Sequence, residues 1–280
     1  MPIKLLRNIK LNRFTFSKSQ EEKGVLGQQF SGKHVLGAYV FPCKDLKSNQ
    51  PLFNDGFPSL IFMPRSTDHV RLRRKKEIAH LKSAWACCGV IQDTHWEIPE
   101  GLEYILVLRF NPSSFYSLFK IDPMVFRSAP VCSFQDLVSA EWSSMINEMY
   151  QKEGVSEKIS FLESVLSEQD TDDYLPYFLQ AAIDHIELRR GNTTVSDVLK
   201  ALGEKVNHKW LQRNFVKYLG ISPKKYISLQ RFIYAYGRYG ENKNPDLLDT
   251  ALHSGYYDHS HFYKDFKQYI GITPSQYAWD

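Results

Sequence analysis

The chain has 280 residues, 35 Lys and Arg against 31 Asp and Glu, and 43% apolar residues, which is enough for two domains with cores of their own and excludes a disordered or fibrous polymer. No stretch approaches the roughly 20 apolar residues of a membrane span, and the basic segment 1–10 lacks the apolar core of a signal peptide. Four cysteines in a chain of this length do not describe a disulfide framework, so a reducing, cytoplasmic setting is expected.

From about residue 24 to 110 the sequence reads as strands and turns. Val35 to Phe41, Ser59 to Met63, His80 to Cys87 and Tyr104 to Phe110 are short runs rich in β-branched and aromatic residues, punctuated by Asn54-Asp55-Gly56, Pro64, Gly89 and Pro99-Glu100-Gly101. An antiparallel sheet or small barrel over 1–132 is expected. The basic run Arg71 to Lys76, lying between two strand candidates, reads as an exposed hairpin tip.

The pattern turns helical at 133. Leu137, Trp142, Met145, Ile146 and Met149 make one amphipathic set, and Ile159, Leu162, Val165 and Leu166 another, with Gly154 between them. The polar stretch 167–173 offers no apolar residue for packing and reads as a linker closing a connector, 133–173. A third region, 174–280, begins with a helix whose Leu179, Ile183 and Ile186 share a face and which ends at Gly191-Asn192. The fold class is thus α+β: a β-rich part, helices, then an all-helical tail. The tail holds 14 basic and 10 acidic residues, whereas the rest is balanced at 21 each, so all of the positive excess sits at the C-terminal end.

Within that tail one pattern occurs twice. His208 to Tyr226 aligns without a gap on His259 to Tyr277, a repeat that marks one structural unit used twice. Leu211, Phe215, Tyr218 and Leu219, like Phe262, Phe266, Tyr269 and Ile270, fall at i, i+4, i+7 and i+8 and predict one buried stripe per helix. The opposite faces carry Lys209, Gln212, Arg213 and Lys217 in the first copy, and Ser260, His261, Lys264 and Lys267 in the second. Such side chains suit duplex DNA: Arg and Lys donate to guanine or phosphate, Gln pairs with adenine, and Ser and His reach either. Gly220 and Gly271 predict left-handed helix ends, and Ser222-Pro223 and Thr273-Pro274 predict an N-cap and first turn of a following helix. A shorter apolar segment precedes each copy, at Val195 to Leu202 and at Leu247 to Leu252, giving helix, turn and polar-faced helix twice over. Pro223 to Tyr239 reads as one helix of about 25 Å joining the two.

These residues carry a resemblance. The tail from about 174 to 277 resembles the DNA-binding domain of the AraC/XylS transcriptional regulators, two helix-turn-helix motifs joined by a long helix. The match lies in Leu211-Gln212-Arg213-Asn214-Phe215, Gly220-Ile221-Ser222-Pro223, Gly255 to Phe262, and Gly271-Ile272-Thr273-Pro274. The resemblance implies a sequence-specific bacterial transcription factor acting on promoter DNA. Its base contacts would come from Lys209, Gln212, Arg213, Ser260, His261 and Lys264, with RNA polymerase as a candidate partner. Two departures stand out. The turn from Gly203 to Asn207 is about two residues longer than the family's, and His259 and Lys264 replace its frequent Gln and Arg. Asp55 to Phe62 and Leu108 to Phe119 are similar to segments of the cupin-related sensor domain found ahead of some AraC-type tails. That likeness implies effector sensing or homodimerisation by the N-terminal part.

Other chemistry has little support in the sequence. Cys43, Cys87, Cys88 and Cys132 lack the spacing of zinc sites and read as small buried hydrophobes. A DNA-repair methyltransferase couples a four-cysteine zinc site to an AraC-type tail, so an enzyme of that kind is the alternative function. His34, His69, His80 and His95 are scattered, and Trp85, Trp96, Tyr104 and Phe110 read as core. With no catalytic triad, phosphate-binding glycine loop or zinc-protease motif in sight, neither catalysis nor a cofactor is expected.

Overall fold

A computed structural model describes residues 26–28, 33–43, 49–74, 77–169, 174–203, 205–241 and 246–277. The chain divides into two compact units, Met1–Tyr174 and Leu175–Asp280. Segment 1–10 and most of the expected linker, residues 170–173, lie outside the described residues.

The first unit is built on antiparallel strands: β1 (Leu26–Gln28), β2 (Val35–Pro42), β3 (Gln50–Pro51), β4 (Ser59–Phe62), β5 (Val70–Arg74), β6 (Glu77–Leu81), β7 (Ala84–Cys87), β8 (Thr94–Glu97), β9 (Tyr104–Phe110) and β10 (Val131–Ser133). They form a six-stranded sheet, β1-β2-β9-β4-β7-β10, and a four-stranded sheet, β3-β8-β5-β6. β9 runs through the middle of the larger sheet, with Leu108 opposite Ala38 on one side and Leu60 on the other. Its residues from Ile105 to Phe110 are buried on both faces. That double burial explains why Ile105 to Leu108 read as a continuous apolar run rather than an alternating one.

Four helices follow: α1 (Pro112–Phe119), α2 (Val125–Ser128), α3 (Ala140–Tyr150) and α4 (Gly154–Ser167). Asn111 caps α1 and Pro112 opens it, while the Ser139 side chain caps α3. One face of the larger sheet (Leu60, Phe62, Leu106, Leu108 and Phe110) shares a single core with Phe115 and Phe119 of α1, Ile146 and Met149 of α3, and Ile159, Leu162 and Leu166 of α4. The opposite face holds Trp85 edge-on to Trp96, with centroids 5.8 Å apart. It also holds a buried ion pair, in which Arg109 Nη2 donates to Asp55 Oδ2 at 2.6 Å and the guanidinium lies 4.1 Å from the Phe57 centroid.

Two sequence expectations are corrected. The run 80–87 is two strands in different sheets, because the chain passes from one sheet to the other at Lys82-Ser83. There the Lys82 N–H donates to Ser133 Oγ and the Ser83 carbonyl accepts from the Met63 N–H. The basic run from Arg71 is mainly strand: Arg71, Arg73 and Arg74 are exposed along β5 while Leu72 is buried, and Arg71 pairs with Glu97 at 3.3 Å. β5 pairs antiparallel with β6, and residues 75–76 between them lie outside the described residues.

In the second unit the helices are α5 (Tyr177–Leu188), α6 (Val195–Ala201), α7 (His208–Leu219), α8 (Pro223–Glu241), α9 (Leu247–His253) and α10 (His259–Ile270). α8 is continuous, as its pattern predicts, and its Phe232 stacks on Tyr269 of α10 with centroids 4.6 Å apart. Tyr226 contacts Phe215 of α7 from the other end of α8. Gly191, left-handed at φ +72°, permits the corner between α5 and α6 to touch α8: a Cβ there would meet the Arg231 nitrogen at 2.3 Å.

Candidate nucleic-acid interface

Local chemistry sets both ends of each polar-faced helix. Asn207 begins α7 by accepting from the Trp210 N–H at 2.9 Å, and Asp258 begins α10 by accepting from the His261 N–H at 2.9 Å. That backbone hydrogen bond, with help from the His261 ring, holds the Asp258 carboxyl below its ordinary pKa. The helices end at Gly220 (φ +71°) and Gly271 (φ +90°), where the left-handed conformation favours glycine. The preceding helices are capped by Thr194, in a reciprocal box with Asp197, and by Asp246.

The helical period divides each helix as the sequence predicts. Leu211, Phe215 and Leu219 are buried in α7, and Phe262, Phe266, Tyr269 and Ile270 in α10. Lys209, Arg213 and Lys217 are exposed, Gln212 is half-buried beside them, and Ser260, His261, Lys264 and Lys267 are exposed. Each helix thus gathers its four residues on its solvent side. Tyr218 departs from the repeat: it is half-exposed with the Lys217 ammonium 4.7 Å from its ring, whereas its counterpart Tyr269 is buried. Trp210 packs edge-on to Phe178 of α5, which braces α7. The predicted helix after Thr273-Pro274 is a turn instead, closed by the Gln276 and Tyr277 N–H groups donating to the Thr273 carbonyl.

The structure adds two positions that sequence reasoning missed. Asn214 and Asp265, equivalent in the repeat, are polar residues set among the apolar stripes. Asn214 Nδ2 donates to the Trp210 carbonyl at 2.8 Å, within its own helix. Asp265 Oδ2 instead accepts from Tyr256 Oη at 2.9 Å and Ser228 Oγ at 3.2 Å, tying α10 to α8 and to the preceding turn. Burial raises the Asp265 pKa, and the Tyr256 and Ser228 hydrogen bonds only partly offset it. Arg231 completes the joint: its guanidinium donates to the Gly191 and Thr193 carbonyls and lies 5.5 Å from the Tyr256 ring. A polar residue at the same stripe position in both copies was the available signal.

Among the described residues of the first unit, no group of three or more His, Cys, Asp and Glu is placed to hold a metal. Cys43, Cys87 and Cys88 are buried and Cys132 half-buried. Burial pushes the Cys43 thiol up to about 12 and the Cys87 thiol up to about 11, which keeps both protonated at neutral pH. His34 is buried and donates from Nε2 to the Gln169 carbonyl at 2.9 Å, His69 and His80 are exposed, and burial lowers the pKa of half-buried His95. No described helix is long and apolar enough to cross a membrane.

A helix-turn-helix domain model of the AraC type matches residues 204–278, so the C-terminal unit carries an AraC-type helix-turn-helix domain and the chain is a DNA-binding transcriptional regulator. Among solved structures the chain is similar to ToxT from Vibrio cholerae. An apo form is 14% identical, covering 89% of this chain and 98% of that one at a TM-score of 0.42. A form bound to (E)-4-(8-methylnaphthalen-1-yl)but-3-enoic acid is 13% identical, covering 86% and 97% at 0.44, and an unsaturated fatty acid-bound form is 14% identical, covering 88% and 95% at 0.42. No curated protein matches the chain.

Proposed function

We propose that the chain reads two adjacent major-groove segments of promoter DNA with α7 and α10. Lys209, Gln212 and Arg213 would read one block, Ser260, His261 and Lys264 the other, and Lys217 and Lys267 would hold phosphates. The observation that supports this is the division of each helix: in both copies the apolar stripe is buried and the polar set faces solvent. The DNA-binding region is 174–280. The β-rich part, 1–132, senses an effector or forms a homodimer, and 133–173 is the helical connector that completes its core.

An effector would have to enter by displacing α4 at the apolar cavity of about 20 Å³ between the larger sheet and α3 and α4, lined by Phe62, Leu108, Trp142, Met145, Leu162 and Leu166 among others. Its lining selects an apolar molecule. RNA polymerase is the expected partner of the bound regulator. An enzyme with a DNA-binding tail is the weaker reading, since Cys43, Cys87 and Cys88 are buried, and burial raises the Cys43 and Cys87 thiols above their ordinary range.

Selection of bound duplexes from a random pool tests the assignment. The expected result is an enriched motif of two blocks about one helical turn apart, with one block missing when Lys209, Gln212 and Arg213 are replaced by Ala. Binding without any enriched motif would sink it.

A further inference from the structure

On the second unit, one tyrosine hydroxyl takes a hydrogen bond from one guanidinium and lies near a second. Arg190 Nη1 donates to Tyr234 Oη at 2.7 Å, and the same guanidinium lies 4.6 Å from the Tyr234 ring centroid. Arg238, one helical turn along α8, stands near enough to that hydroxyl for its charge to favour the ionised form. Burial works to raise the Tyr234 pKa, but Arg238 and Arg190 outweigh it and leave the value below that of an ordinary tyrosine. Among the described residues no carboxylate pairs with either arginine, and Arg238 Nε is buried without a hydrogen-bond partner. Tyr234 accepts from Arg190, so its own proton remains to be donated. Arg190 is moreover left-handed at φ +55°, a conformation unfavourable for a non-glycine residue. Two like charges, one free hydroxyl proton and a strained backbone together lack a single component, an anion.

The cluster's position indicates which anion. Arg190 lies four residues before Thr194, the N-cap of α6, and the first helix of a helix-turn-helix motif crosses the DNA backbone. The same corner touches the second motif. The Asn192 side chain occupies the space beside Gly255, where a Cβ would meet it at 2.5 Å, and Gly255 stands three residues ahead of the N-cap of α10. The cluster therefore borders the seam where the start of one motif meets the turn leading into the other recognition helix.

We propose that Arg190, Tyr234 and Arg238 form a phosphate seat that grips the DNA backbone at this seam. The seat rests on the reading of α7 and α10 as recognition helices, but it reads no base. It fixes the register of the two motifs on the duplex: the arginines supply charge and forked donors, and Tyr234 supplies one uncharged donor.

The test uses the full chain and a duplex carrying its selected motif, with affinity measured from about 50 to 200 mM salt and melting temperature as a check of folding. R190Q/R238Q is expected to flatten the log–log salt dependence by about 1 for each phosphate it no longer neutralises, to weaken every duplex alike, and to leave the enriched motif unchanged. Y234F keeps the charge and is expected to lose affinity several-fold with the slope intact, while R190K/R238K retains most of the slope. A scan placing one neutral methylphosphonate at each backbone position is expected to find a position that weakens the wild type and leaves R190Q/R238Q unaffected. The proposal is overturned if folded R190Q/R238Q binds with wild-type affinity and slope, or if its scan matches the wild type at every position. Stabilisation of the wild type by inorganic phosphate, with no change of DNA slope in the variants, overturns it too, by making the seat one for a free anion. Loss of the two-block motif in the selection would instead count against the recognition-helix reading, whatever the slopes.

Discussion

Asp265 ties α10 to α8 and to the turn before it. Its Oδ2 takes hydrogen bonds from Tyr256 and Ser228, so its removal leaves a buried tyrosine hydroxyl without a partner. Asp265→Ala is expected to cost about 1–3 kcal/mol and to weaken recognition of the block read by α10 more than that read by α7. Asp265→Asn behaves differently, because its amide oxygen can accept the same two bonds but cannot ionise. Burial raises the carboxyl's folded pKa, so its stabilising contribution is complete below the ordinary carboxylate pKa of about 4 and is lost as pH rises through the folded value. D265N escapes that loss. Thermal melts are expected to give equal stability near pH 4 and a D265N advantage that grows toward pH 7; a D265N protein less stable than the wild type at pH 7 would contradict the sign.

Between the two recognition helices the element-scale contrast is in what their exposed faces offer. Arg213 has the forked donors for a bidentate guanine contact, whereas Lys217 presents a point charge late in α7. Arg213→Ala is therefore expected to relax selection at one base-pair position, and Lys217→Ala to weaken all sequences alike. Equal, sequence-independent losses from both would remove this division of roles. The cap of α7 gives a separate check: Asn207→Ala is expected to lower stability by about 1 kcal/mol, read by denaturant unfolding. At this scale the sequence was most legible, because amphipathic period, caps and glycine stops act within a few residues. Asp265 and Arg231 were not legible for the opposite reason: their partners, Ser228 and Gly191, lie tens of residues away in sequence. The β-rich part was harder for the same cause. The run 80–87 has the composition of one strand, and only the long-range pairing of β6 with β5 and of β7 with β4 divides it.

For the whole molecule, charge and cavity lie in different units: the positive excess is in the tail, and the apolar cavity is in the first unit. An effector bound at that cavity would then act through a change of structure, since an apolar ligand brings no charge to the DNA. The element placed to carry such a change is α4. It lines the cavity with Leu162, Val165 and Leu166, and just beyond its end the Gln169 carbonyl is held by His34, beside the start of β2. The cavity is narrow, with about 20 Å³ of free volume, so a ligand larger than a water must push α4 from the sheet. Leu166→Ala opens that space directly. It is expected to cost about 2–5 kcal/mol, and a small apolar probe such as benzene is expected to recover part of that loss, raising the melting temperature of L166A more than that of the wild type. If α4 transmits the ligand's presence, the probe also shifts the DNA affinity of L166A, with the tail's salt slope unchanged because the same phosphates are neutralised with and without the probe. A probe that restores the melting temperature without moving DNA affinity would leave the cavity a packing defect and return effector control to another part of the N-terminal unit.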